Sequence, residues 1–138
     1  MILNLAARNR LKFHHIGFVV KNIEDYIKYA IISEIYKKTY DPIQHSNLAL
    51  IKLEKNNFIE LIEPLDKQST TYNFLKNRGG GFHHICYKIK DEQSLKKITS
   101  SKKIKIFWGP KPAILFNNKD VLFGISQNKE IIEFILDE

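Results

Sequence analysis

Apolar positions in this chain recur with two periods, and the switch between them marks the elements. Residues 12–20 and 82–89 are runs of β-branched and aromatic side chains that predict strands. Asn22 follows the first run, and Ile23, Tyr26, Ile27 and Ala30 then fall on one helical face, which predicts a helix over residues 23–36. Asp91 follows the second run and precedes a helix expected over residues 92–100. Further strands are predicted at 37–40, 48–53 and 58–63, and then at 104–108, 113–116, 121–125 and 131–136. Glu54-Lys55-Asn56-Asn57 reads as a hairpin turn, and residues 70–76 as a short helix. Arg78-Gly79-Gly80-Gly81 reads as a flexible joint. It lacks the Lys-Ser/Thr of a phosphate-binding loop and precedes a strand, which excludes that motif.

The two halves repeat one another. Phe13-His14-His15-Ile16 returns as Phe82-His83-His84-Ile85, an offset of 69 residues from His15 to His84. Ile59-Glu60-Leu61-Ile62 returns as Ile132-Glu133-Phe134-Ile135, an offset of 73 from Glu60 to Glu133. Similar offsets at both ends mean two copies of one strand–helix–strands unit, differing by small loop changes. The fold class expected is α+β, with two tandem βαβββ modules at about 12–66 and 80–137 within a single domain of residues 1–138.

Composition narrows the class. A chain of 138 residues with 43% hydrophobic content can bury a core, which argues against disorder. No apolar run reaches the length of a membrane helix. Residues 1–12 lack the pattern of a secretory signal and read as an extension or first edge strand of a cytoplasmic protein. With one cysteine, Cys86, no internal disulfide is possible. The net charge of +7 comes mainly from scattered lysines and fits a solvated surface or an anionic small-molecule substrate. Without an arginine cluster or an aromatic–basic reader motif, nucleic acid is not an expected partner.

Strand alternation turns four polar residues into a problem. Glu60 and Glu133 sit between large apolar neighbours in strands, where an uncompensated carboxylate costs several kcal/mol. His15 and His84 occupy equivalent places in the first strand of each half. Any one of the four alone reads as an ordinary strand residue. Recurrence of His-then-Glu at spacings of 45 and 49 residues points instead to one divalent cation held by His15, Glu60, His84 and Glu133. His14 and His83 face the other way and are expected to pack or to support the ligands. Cys86 shares the predicted face of His84 and reads as a small residue on the floor of the site. Trp108 reads as a packed or rim aromatic.

At these residues the sequence resembles the vicinal oxygen chelate superfamily, closest to its methylmalonyl-CoA epimerase branch. The resemblance spans nearly all of residues 13–134. It is carried by Phe13-His14-His15-Ile16-Gly17, Ile59-Glu60-Leu61-Ile62-Glu63-Pro64-Leu65, Gly80-Gly81-Phe82-His83-His84-Ile85 and Ile131-Ile132-Glu133-Phe134. It implies βαβββ modules whose sheets curl around a metal-binding cleft, and a homodimer. The implied ion is Ni, Co, Zn, Mn or Mg, with Glu60 standing where some epimerases have Gln. The implied chemistry is proton abstraction alpha to a carbonyl, with the ion as Lewis acid and Glu133 as base.

Two departures bear on the substrate. Ile43 falls where the epimerases place a second catalytic Glu, leaving neighbouring His45 as the expected second acid–base group. The family's Phe-Leu-His-Pro-Lys segment is replaced by Phe123-Gly124-Ile125-Ser126-Gln127, and the chain carries Trp108-Gly109-Pro110-Lys111-Pro112 upstream. The expected activity is therefore an epimerase or isomerase acting on an anionic compound, an acyl thioester among the candidates, with the substrate itself changed. The alternatives are a lactoylglutathione lyase, a ring-cleaving dioxygenase, which a fourth protein ligand argues against, and a non-catalytic binding module, which would lack the ligands.

Overall fold

A computed structural model of the chain describes residues 11–137; the expectation for the first ten residues lies outside them. The elements are β1 (Leu11–Val19), α1 (Ile23–Tyr29), β2 (Ile35–Asp41), β3 (Ser46–Glu54), β4 (Asn57–Pro64), α2 (Tyr72–Arg78) and β5 (Gly81–Ile89). Then follow α3 (Glu92–Ser101), β6 (Lys105–Ala113), a 3₁₀ turn (Ile114–Phe116), β7 (Lys119–Ile125) and β8 (Ile131–Leu136). The α+β class and the repeated strand–helix–three-strand order are those the sequence predicts. No helix among the described residues is long and apolar enough to cross a membrane.

Two compact units are present: His15–His83, and residues 84–137 with 11–14. In the first, the strands lie in the order β2-β3-β4-β1; in the second, the order is β5-β8-β7-β6. Each is mixed, with one parallel pair (β1 with β4, β5 with β8) and antiparallel neighbours beyond it. A parallel pair needs a long crossover, and the helix and two strands between its members supply it.

One face of each unit is an apolar core under its helix. In the first unit Ile23 of α1 packs with Ala49, Ile51 and Leu61, and Phe18, Tyr26, Ile27 and Ile59 complete the cluster. In the second, Leu95 and Ile98 of α3 pack with Ile89, Leu122, Ile132 and Phe134. Each fully buried large side chain there contributes about 1.5–3 kcal/mol. Strand alternation sends the intervening residues, Glu60 and Glu133 among them, to the face away from the helix.

Local chemistry starts both helices. Asn22 and Asp91 cap α1 and α3, accepting from Asp25 N at 2.9 Å and Ser94 N at 2.7 Å. Glu63 adds a second tie for α1, accepting from Ile23 N at 2.8 Å and from Asn47 Nδ2 at 3.1 Å.

Three expectations are corrected. The helix predicted over 23–36 ends at Tyr29, because Ala30 turns extended at ψ 141° and the β-branched Ile31 and Ile32 do not continue its buried face. Ile31 is in fact fully exposed. The strand predicted at 113–116 is instead a 3₁₀ turn, and β6 runs on to Ala113 through Pro110 and Pro112. Two prolines without N–H groups are tolerated because β6 is an edge strand. The triple glycine is more than a joint. Gly79 closes α2 in the left-handed region at φ 75°, its N–H reaching Leu75 O at 2.8 Å. Gly80, at φ +103°, has no room for a Cβ, which would lie 2.7 Å from Val19 O.

Candidate metal centre

The two histidines and two glutamates fall into one pair per unit. In the first, parallel pairing of β1 with β4 sets Gly17 opposite Glu60, so His15 lies two residues away on the same face. His15 Nε2 is 3.4 Å from Glu60 Oε1, and the residues are 0% and 4% exposed. In the second, pairing of β5 with β8 sets Cys86 opposite Glu133, and His84 again lies two residues away. His84 Nε2 is 3.1 Å from Glu133 Oε1, with exposures of 0% and 2%. One register, repeated, produces both pairs.

Burial defines what these pairs can do. A carboxylate removed from water must be neutralised, hydrogen-bonded or held by a cation. Imidazole nitrogen and carboxylate oxygen are donors that divalent first-row metals accept. The donors of each pair therefore fit a divalent ion.

The remaining histidines do other work. His14 meets the Phe116 ring edge-on at 5.2 Å, and His83 meets Phe74 at 5.0 Å. Both make edge-on ring contacts, and His14 also lies within 4.8 Å, ligand atom to ligand atom, of His15 and Cys86. His45 stands in the β2–β3 turn with φ 49°, partly exposed, its Nδ1 3.8 Å from Asp66 Oδ2. Its carbonyl accepts from Leu65 N at 3.2 Å and from Ser69 Oγ. Asp41 shapes the same turn by accepting from Ile43 N at 2.8 Å and Gln44 N at 3.2 Å. Ile43 is largely exposed and Gln44 is buried. Cys86 is fully buried opposite Glu133.

Sequence reasoning overlooked Phe123. Its ring stands edge-on to His84, with centroids 5.2 Å apart and planes at 90°, and it touches both Trp108 and Phe107. No spacing in the sequence marks it; its place follows from direct pairing of Phe123 with Glu133 across β7 and β8.

The chain belongs to the Glyoxalase/Bleomycin resistance protein/Dioxygenase superfamily, whose family model matches residues 14–123. Within it, the similarities point to the epimerases. The mitochondrial methylmalonyl-CoA epimerase of Dictyostelium discoideum is 26% identical over 121 residues, covering 81% of this chain and 69% of that protein. An ethylmalonyl-CoA/methylmalonyl-CoA epimerase of Cereibacter sphaeroides is 36% identical over 69 residues, 49% of this chain and 52% of that protein. Among solved structures, a variant of Streptomyces coelicolor methylmalonyl-CoA epimerase in complex with 2-nitronate-propionyl-CoA shares the fold. Its TM-score is 0.75 at 18% identity, with 91% of this chain and 96% of that one covered.

Proposed function

We propose that the chain is a metal-dependent epimerase or isomerase that moves a proton alpha to the carbonyl of an acyl thioester. The observation that carries this reading is the same buried His–Glu pair built twice, His15 with Glu60 at 3.4 Å in one unit and His84 with Glu133 at 3.1 Å in the other, all four residues buried. A buried carboxylate repeated in this way calls for a compensating cation. The four side chains would hold one divalent ion, Ni, Co, Zn, Mn or Mg, which supplies Lewis acidity toward the substrate's oxygens. Similarity to epimerases of acyl-CoA compounds supports the substrate class.

The chain's own residues have the following parts. Glu133 takes the alpha proton on one side of the carbon, its Oε1 3.1 Å from His84 Nε2, and the proton that completes inversion is delivered from the other side. His45 is the second acid–base group, needed because inversion requires a donor and an acceptor on opposite sides of the carbon. Its support is its place in the chain, two residues after Ile43, where the epimerase pattern has a second Glu, and its partly exposed imidazole. The same reading makes the protein a homodimer.

The test is the exchange of the alpha proton of methylmalonyl-CoA with deuterated water, followed by NMR after loading with Co(II), Ni(II) or Zn(II). Stoichiometric metal with metal-dependent exchange is the expected result. Binding of metal without exchange of any acyl thioester defeats the reading, and exchange with lactoylglutathione alone would move it to the lyase. Loss of epimerisation in His45→Ala, with metal content unchanged and proton exchange of one epimer retained, supports the second acid–base role. Sedimentation velocity reports the dimer.

A further inference from the structure

β6 carries two register shifts, between Ile106 and Trp108 and between Trp108 and Lys111. Ile106 pairs with Gly124 and Trp108 with Phe123, so one extra residue on β6 lies between them. Ile106 therefore joins the helix-side core while Trp108 turns to the opposite face, the face of Phe123 and Glu133. A second extra residue follows. Lys111 pairs with Val121, two residues from Phe123, although it is three residues from Trp108. Regular alternation would put Trp108 and Lys111 on opposite faces; the bulge puts them on the same one. Gly109 makes this possible, because at φ +90° a Cβ would lie 2.4 Å from Val121 O.

The outcome is a continuous run of ring contacts ending in a cation. His84 meets Phe123 at 5.2 Å, Phe123 meets Trp108 at 5.5 Å, and Lys111 Nζ sits 5.1 Å over the Trp108 ring. Lys111 Nζ thus lies no more than about 16 Å from the His84 ring. Lys111 is exposed, and among the described residues no carboxylate pairs with it. An ammonium laid on an indole and left without a counter-ion is oriented for an incoming anion.

We propose that Trp108 and Lys111 form the distal end of the substrate site, where Lys111 binds a phosphoryl group and Trp108 flanks the arm that joins it to the reacting carbonyl. This rests on the reading of the His84–Glu133 half as the reacting end. It makes Trp108 and Lys111 determinants of substrate choice and leaves them out of the proton transfer.

Trp108 is the only tryptophan in the chain, so its emission reports this subsite alone. Coenzyme A titrated into the wild-type protein should change Trp108 emission saturably, and inorganic pyrophosphate should compete. Pantetheine, which lacks phosphoryl groups, should leave the emission unchanged over the same range. Lys111→Gln should weaken coenzyme A binding roughly five- to tenfold, while Lys111→Arg stays near wild type. Equal affinity for Lys111→Gln and wild type, an equal response to pantetheine, or no competition by pyrophosphate would overturn the inference. Metal content is measured on the same samples. Lys111-dependent binding without alpha-proton exchange removes the proposed activity and leaves the subsite standing, whereas exchange with Lys111-independent binding does the reverse.

Discussion

His84 Nε2 stands 3.1 Å from Glu133 Oε1, and neither side chain reaches solvent. That closeness places the carboxylate on β8 against an imidazole carried by β5. Under the proposed function this residue is the base, and its position beside His84 is where proton transfer would be prepared.

Glu133→Gln should therefore lower alpha-proton exchange by about 10²–10⁴-fold, the range expected for loss of a positioned base. Metal content, read by mass spectrometry, should fall as well, because an amide is a poorer ligand than a carboxylate. In the wild type, metal at a hundredfold excess over its Kd should stabilise the fold by about 2.7 kcal/mol, and a chelator should reverse the gain. Exchange by Glu133→Gln at the wild-type rate would eliminate Glu133 as the base.

Glycines 79 and 109 separate two kinds of backbone constraint. Both have positive φ, but a Cβ at Gly79 meets nothing within 4 Å, whereas at Gly109 it strikes the Val121 carbonyl. Gly79→Ala should cost about 1 kcal/mol, the left-handed penalty alone. Gly109→Ala should cost about 2–4 kcal/mol, since backbone must also move. Urea denaturation of the two variants gives the comparison, and equal losses would show that the β6 bulge yields freely.

Asp137, beyond β8, is paired with Lys119, and the hydrogen bond from that ammonium holds its carboxyl below the ordinary value of 3.8. A depressed folded-state pKa contributes stability above the unfolded value and loses it as pH falls through the folded one. Asp137→Asn should thus cost up to about 1 kcal/mol at pH 6, discounted for solvent screening of this half-exposed pair. The difference from wild type should shrink below pH 4, as measured by denaturant unfolding at several pH values. A difference that persists unchanged at the lowest pH would show that the pair is not its source.

The repeat made the architecture legible, because Phe-His-His-Ile and Ile-Glu at matching offsets fix both the order of strands and the residues facing away from the helices. What sequence left hidden was non-periodic. Nothing in Tyr29-Ala30-Ile31-Ile32 marks where helical spacing gives way to an extended turn, since the same residues suit either state until burial decides. The bulges of β6 are hidden for the opposite reason. Pro110 and Pro112 argue against a strand, yet an edge position tolerates them, and only register against β7 reveals which side chains turn over. The His15–Glu60 and His84–Glu133 pairs followed from alternation; Phe123 against His84 required knowing that β7 lies beside β8.

Parallel partnering of the first and last strands in each unit has a bearing on assembly. Glu60 cannot meet His15, nor Glu133 meet His84, until the chain has travelled through a helix and two further strands and come back. Neither pair can arise from a local hairpin, so under the proposed function ion capture would be a late event in folding. Nascent chains still lacking β8 would be without Glu133 and with only part of the proposed ligand set.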